Sequence, residues 1–228
     1  MLIEEAKWIG KELLEISEPG FKVLNIGSSS EEYRTKVQPH IEKFIFRPLK
    51  ENNIKVIHTD IVNEQGVDIV GDLTSPEFII QLEKNKYDLI ICSNLLEHLK
   101  EKQLIVDAIL EILPKASKAI ITVPYNYPYH LDPIDTMYRP NTNELHQLFK
   151  NTELLKEEIL IGKSVNKNTI SINYWQKLKI TPLILFKLLV RVLFPFYKTK
   201  VWLYTFLSLK NMFSPFSVSC ILIKKQND

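Results

Sequence analysis

Acidic and amide side chains stand at the ends of successive short apolar runs, in a pattern suited to holding a nucleoside rather than a phosphate. The run Val56-Ile57-His58-Thr59-Asp60-Ile61 closes on an acid, as does Val67-Asp68-Ile69-Val70-Gly71-Asp72. A carboxylate at Asp60 can accept hydrogen bonds from a ribose diol, and one at Asp72 can accept them from the exocyclic amine of adenine. The run Lys22-Val23-Leu24-Asn25-Ile26 ends on Gly27, where a missing Cβ lets a ligand approach the backbone. A fourth run, Tyr87 to Asn94, leads into Leu95-Leu96-Glu97-His98. The 228 residues include only six glycines, at positions 10, 20, 27, 66, 71 and 162, and no two of them are two residues apart. That spacing excludes the Gly-x-Gly-x-x-Gly dinucleotide fingerprint. Gly66 and Gly71 have the interval of a phosphate-cradling loop, but Asp72 stands where its lysine must be.

These positions are brought together by alternating strands and helices. Residues 2–17 place Leu2, Ile3, Ala6, Ile9, Leu13, Leu14 and Ile16 at helical spacing and end at Glu18-Pro19-Gly20. Strands are expected at 22–27, 56–61, 67–72, 87–94, 118–124 and 157–161. Between them, residues 31–51 read as helix broken by Pro39 and Pro48. Thr74-Ser75-Pro76-Glu77 opens a capped helix, 95–113 carries helical periodicity, and Asn141-Thr142-Asn143-Glu144 opens another helix. Near-continuous apolar strands alternating with helices predict a mostly parallel sheet covered on both faces, whose ligands bind outside the carboxyl ends of the strands.

Taken together, the sequence resembles the class I S-adenosylmethionine-dependent methyltransferases, and more closely those acting on small molecules in bacterial sugar and surface-polysaccharide pathways. The matching residues are Val23-Leu24-Asn25-Ile26-Gly27-Ser28, the pair Asp60 and Asp72, Tyr87 through Leu99, and Val123-Pro124-Tyr125-Asn126-Tyr127-Pro128. The resemblance implies a Rossmann-like three-layer α/β sandwich. Its seven-stranded, mostly parallel sheet has an antiparallel last strand at Ser217 to Lys225. S-adenosyl-L-methionine is the implied cofactor. Gly27, Ser28 and Ser29 would lie near its methionine part, Asp60 on the ribose, and Asp72 with Leu73 on the adenine, while Asn94 with Leu95 would form the floor. Asn25 stands where the family usually carries an acid, and the turn Gly27-Ser28-Ser29-Ser30 is poorer in glycine than is usual, although serine hydroxyls can bond a carboxylate.

The chemistry so implied is direct transfer of a methyl group to an acceptor oxygen or nitrogen, most plausibly a sugar hydroxyl on a small or lipid-linked acceptor. Such a hydroxyl needs a base. The loop Tyr125–Pro140 holds three prolines, four tyrosines, His130, Asp132, Asp135 and Arg139. We read His130 as the base, with Asp132 or Asp135 orienting it, and His98 as a further catalytic candidate. The alternative has the tyrosines and Arg139 packing and capping the next helix. No metal site is assigned, because no second acidic cluster accompanies His130, Asp132 and Asp135; His40, His58 and His146 read as structural. The competing functional class is a catalytically silent binding protein that keeps the fold.

The net charge of +2 is a cancellation: residues 1–158 carry 26 acidic and 18 basic residues, residues 159–228 one acidic and 11 basic, so −8 and +10 sum to +2. The expected division is a catalytic domain of 1–162 with 214–228, and a basic, apolar helical insertion at 163–213. Within the insertion, Leu183 to Phe194 is apolar except for Lys187 and Arg191, which share one stripe. At about 18 Å that run is too short to span a hydrocarbon core of about 30 Å. It suits a helix lying on an anionic membrane surface, with residues 178–213 as the docking segment; a lid or dimer interface is the alternative. Nucleic acid is not an expected partner, since these cations sit among bulky aliphatics. Cys92 and Cys220 lie in apolar runs and no basic, apolar leader opens the chain. Both features predict a cytoplasmic protein, and the basic segment adds a peripheral place at the inner face of the membrane.

Overall fold

The computed structural model describes residues 1–127, 134–162 and 215–226. Its strands follow the period-two alternation of their apolar side chains. In β1 (Lys22–Ile26), Leu24 and Ile26 face one layer and Val23 the other; in β4 (Leu89–Ser93), Ile90 and Cys92 oppose Leu89 and Ile91. The set is completed by β2 (Lys55–Asp60), β3 (Ile69–Val70), β5 (Lys118–Asn126), β6 (Thr152–Ile161) and β7 (Ser217–Lys225). They form one seven-stranded sheet in the order β3-β2-β1-β4-β5-β7-β6. β1 to β5 pair in parallel, and β7 runs antiparallel to both β5 and β6. This is the mostly parallel sheet with an antiparallel last strand that the sequence implied.

Helices cover both faces. On one lie α1 (Ile3–Ile16), the short α2 (Pro39–Ile41), α3 (Arg47–Glu51) and two π turns, Tyr33–Val37 and Glu42–Phe46. On the other lie α4 (Pro76–Glu83), α5 (Lys102–Ile112) and α6 (Thr142–Leu148). Local chemistry starts them. Ser75 Oγ accepts from Phe78 N at 3.4 Å ahead of Pro76, and Asn141 and Glu144 form a reciprocal capping box with both bonds at 2.9 Å. The chain runs outward from β1 through β2 to β3, then returns to place β4 on the other side of β1. That reversal opens a crevice at the carboxyl ends of β1 and β4.

Three expectations change in detail. The helix predicted over 95–113 is two elements: a 3-10 turn at Leu96–His98 and then α5, with Leu99 extended between them. The physical reason is a competing acceptor bond, because the Glu97 carbonyl that residue 101 would need receives both the amide (2.9 Å) and the hydroxyl (2.8 Å) of Thr136. Residues 31–51 are helical around the two π turns, and Pro48 sits in the first turn of α3, where it breaks nothing. β6 begins at Thr152 rather than 157; it is an edge strand whose Glu153, Glu157 and Glu158 are exposed, so no apolar run marks its start. The expected insertion 163–213 lies outside the described residues, while β7, which follows it, fills the sheet between β5 and β6. Among the described residues no helix is long and apolar enough to cross a membrane.

Gly10 lets α1 pack against the second π turn, since a Cβ there would lie 1.8 Å from the Phe44 carbonyl oxygen. Gly10→Ala is therefore expected to lower the unfolding free energy by about 1–3 kcal/mol, although alanine is the better helix former by about 1 kcal/mol. Urea denaturation checks this; an unchanged or higher midpoint would contradict the packing described.

Candidate active site

A cavity of about 400 Å³ opens in the crevice. Asn25, Gly27, Ser28, Ser29, Asp60, Asp72, Leu73, Asn94 and Leu95 all line it, as does His98. The turn after β1 makes its centre. Gly27 has φ +67°, and a Cβ on it would crowd Leu95 Cδ1 at 3.1 Å, so the position requires glycine on both counts. Gly27 N and Ser28 N donate to the Thr59 carbonyl at 3.0 and 3.1 Å. Ser29 is also left-handed, at φ +55°, a conformation that costs a non-glycine residue of order 1 kcal/mol.

Side chains hold that turn in place of further glycines. Asp60 Oδ2 accepts from Ser29 N at 2.8 Å, and its Oδ1 accepts from Val62 N at 3.1 Å. Each oxygen keeps a lone pair directed elsewhere. Arg34, buried in the first π turn, donates to the carbonyls of Ser28 (3.0 Å), Ser29 and Gly66 (2.7 Å). One guanidinium thus ties the β1 turn to the loop between β2 and β3, a task suited to its fixed fork of donors. Asp72 Oδ1 accepts from Thr74 N at 2.8 Å and caps its own turn at the cavity edge.

Asn25, the family departure, has a specific partner. Its Nδ2 donates to His58 Nδ1 at 3.1 Å. Burial, reinforced by the Arg34 charge, pushes the His58 imidazole down to about 4, so at neutral pH it is uncharged and can accept that bond. An amide rather than an acid at position 25 suits a neutral neighbour.

A second cavity of about 340 Å³ adjoins the first, and Asn94 and His98 line both. Its acidic side chains are Glu5 and Glu97, and Met1 and His98 line it as well. Glu5, fully buried on α1, accepts from Asn94 Nδ2 (2.6 Å), Thr122 Oγ1 (2.6 Å) and Leu2 N (3.0 Å). Glu97 is 1% exposed, and among the described residues neither carboxyl oxygen has a hydrogen-bond partner. Burial pushes its carboxyl up to about 8, and the nearby Glu5 and Asp135 charges act in the same direction. His98 Nδ1 meets the Ile134 carbonyl, and its Nε2 lies 3.7 Å from Glu97 Oε1.

The predicted catalytic residues divide. His98 is at the junction of the cavities. Asp135 is buried and its carboxylate is engaged by Arg139, at 2.6 and 3.1 Å, and by Met137 N at 2.8 Å, so it shapes the rim. His130 and Asp132 lie outside the described residues. Two contributors escaped the sequence reading, Arg34 and Glu5, while Glu97 stood in the Leu95–His98 segment with no role of its own assigned. Glu5 had a signal, since it shares a helical face with Ala6, Ile9 and Leu13, where an acid is out of place. Arg34 had none, because its partners are backbone carbonyls. Among the described residues no group of three or more His, Cys, Asp or Glu could hold a metal ion. Cys92 and Cys220 are buried free thiols, both pushed up by that burial.

No family model and no curated protein matches the chain. Solved structures do. Coclaurine N-methyltransferase, crystallised with N-methylheliamine and S-adenosylhomocysteine (SAH), matches with a TM-score of 0.56 at 16% identity over 98% of this chain and 70% of that one. A sarcosine dimethylglycine methyltransferase so described from Galdieria sulphuraria matches at 0.55 and 12% identity, over 98% and 85%. The [4+2]-cyclase SpnF matches at 0.55 and 13% identity, over 97% and 81%. The chain therefore has the class I methyltransferase fold, and the cyclase shows that this fold also carries other reactions.

The neutral His58 makes stability fall with acid. Its folded pKa lies below the ordinary 6.5, so the unfolded chain binds the proton more tightly and stability present above pH 6.5 is lost as pH falls toward 4. His58→Gln should flatten that loss by roughly 2 kcal/mol after allowance for partial exposure, as read from urea unfolding at pH 7 and pH 4.5. Equal pH dependence in the two proteins would count against a neutral His58.

Proposed function

We propose that the chain transfers a methyl group from S-adenosylmethionine to a small-molecule acceptor. The observation that carries this reading is the convergence of Gly27, Asp60, Asp72 and Asn94, from four separate segments, on one cavity in a methyltransferase fold. Two of the fold neighbours are described as methyltransferases, and the coclaurine enzyme was crystallised with S-adenosylhomocysteine. The residues suit the cofactor's chemistry. The outward lone pairs of Asp60 suit a ribose diol, Asp72 with Leu73 suits adenine, and the tight Gly27-Ser28-Ser29 turn admits the methionine end without phosphate-binding glycines.

When bound, that group supplies a methyl carbon already activated by a positively charged sulfur. The chain's own work is to align the acceptor, exclude water and move a proton. A sugar hydroxyl, small or lipid-linked, is the acceptor that the sequence resemblance implies, with His130 as its base, Asp132 or Asp135 orienting it, and His98 as a further catalytic candidate. Docking of residues 178–213 on an anionic membrane surface belongs to the same proposal, supported by the +10 charge of residues 159–228.

Calorimetry with S-adenosylmethionine tests the core of the reading. Wild type should bind, and Asp72→Ala should bind at least about 10-fold more weakly, the loss expected when a hydrogen bond to a charged group disappears. No heat from wild type, or equal affinity in the variant, would remove the basis for it. For the membrane segment, the full chain should co-sediment with phosphatidylserine vesicles and a chain lacking 178–213 should not; equal partitioning of the two would refute docking.

A further inference from the structure

The second cavity carries a group that no described residue satisfies. Glu97 lines it, is 1% exposed, and has no hydrogen-bond partner for either oxygen among the described residues. Glu5 lines it as well, with its carboxylate already accepting three hydrogen bonds. Neither lysine nor arginine is among the described lining residues. Arg139, whose charge acts on Glu97, is held by Asp135 at 2.6 Å. A cavity lined by two acids, one of them with no donor among the described residues, is complementary to a ligand that brings positive charge and N–H groups. Its position beside the crevice, with Asn94 and His98 shared, sets such a ligand against the reacting end of whatever fills the first cavity.

We propose that this cavity takes the methyl acceptor as a small primary or secondary amine, and that Glu97 receives the proton the amine must lose before it can react. The inference rests on the methyltransferase reading above and puts an amine in place of the sugar hydroxyl that the sequence resemblance implies. An ammonium has no lone pair to offer, so an N–H proton must leave first. Inside the cavity that transfer turns an ammonium and a carboxylate into a neutral amine and a neutral carboxyl, which a low-dielectric site favours. The nitrogen lone pair then forms the C–N bond to the donor's methyl carbon. The C–S electron pair stays on sulfur, and the positive charge passes from the sulfonium to the methylated nitrogen.

The electrostatic setting of Glu97 matches this task. Burial is the main reason its carboxyl is pushed up to about 8; Glu5 on α1 and Asp135 raise it further, and Arg139 opposes them. His98 and the buried Cys92 are its other titratable neighbours. A base poised near working pH is the kind that proton transfer uses best.

Binding can be read without knowing the natural acceptor. The full chain saturated with S-adenosylhomocysteine is titrated with n-butylammonium and with n-butanol, and amide chemical shifts are followed by NMR. The ammonium should give saturable shifts at Glu5, Glu97 and Tyr127, and the alcohol should not. Because ionised Glu97 attracts the cation and protonated Glu97 does not, affinity should rise as pH passes through about 8, below the range near 10 where an alkylammonium loses its own proton. In Glu97→Gln that rise should vanish and affinity at pH 8.5 should drop at least about 10-fold, with S-adenosylhomocysteine affinity unchanged as the check on folding. Equal binding of butanol, absence of saturable ammonium binding, or an unaltered pH profile in Glu97→Gln overturns the amine assignment while leaving the methyltransferase reading intact. Failure of S-adenosylhomocysteine to bind overturns both.

Discussion

The buried Arg34 guanidinium is the contact on which the cofactor crevice depends. It gathers the carbonyls of Ser28, Ser29 and Gly66, which belong to the turn after β1 and the loop after β2. Asp60 completes the clamp by accepting from Ser29 N at 2.8 Å. With both in place, Ser29 is held in a left-handed conformation that glycine would adopt unaided. A chain with six glycines can therefore build a tight ligand-facing turn, because side-chain hydrogen bonds supply the enthalpy that offsets the backbone strain. The clamp also sets where the Asp60 oxygens point, since each is anchored by one backbone N–H.

A second buried anion organises the other half of the site. Glu5 reaches from α1 to Asn94 after β4 and to Thr122 on β5. Its three hydrogen bonds satisfy a charge that would otherwise be costly to bury, and they fasten the first helix over the carboxyl ends of the central strands. The result is two adjoining cavities of different character. One is walled by the clamped turn and the strand-end acids, the other by Glu5, Glu97 and aromatic side chains. Thr136 donates to the Glu97 carbonyl through both its amide and its hydroxyl, which ends the turn at His98 and keeps α5 separate.

Much of this was legible in the chain. Runs such as Leu89-Ile90-Ile91-Cys92 and Ala119-Ile120-Ile121 mark central strands, since residues buried on both faces must be apolar throughout. Asp60, Asp72 and Asn94 stand immediately after such runs, and strand ends in a parallel sheet converge, so their grouping follows from topology alone. The edge strand β6 was half hidden because its glutamates are exposed. The break at Leu99 was wholly hidden, since Leu95 to Leu113 has good helical periodicity and only a residue 39 positions away removes the carbonyl it needs. Asp135 stands out in the chain by its place in the loop 125–140, but its pairing with Arg139 becomes visible only in the fold.

The sequence by itself determined the layers, the mostly parallel sheet and the residues at the strand ends, because hydrophobic periodicity and the rules of parallel sheets are local or combinatorial. Only the tertiary structure decided how those residues act. Whether an acid is paired, capped or left without a partner depends on groups distant in the chain: Glu5 meets a threonine 117 positions away, Asp60 a backbone amide 31 positions away, and Glu97 no donor among the described residues. Protonation and hydrogen bonding are properties of a surrounding, and the surrounding exists only once the chain has folded.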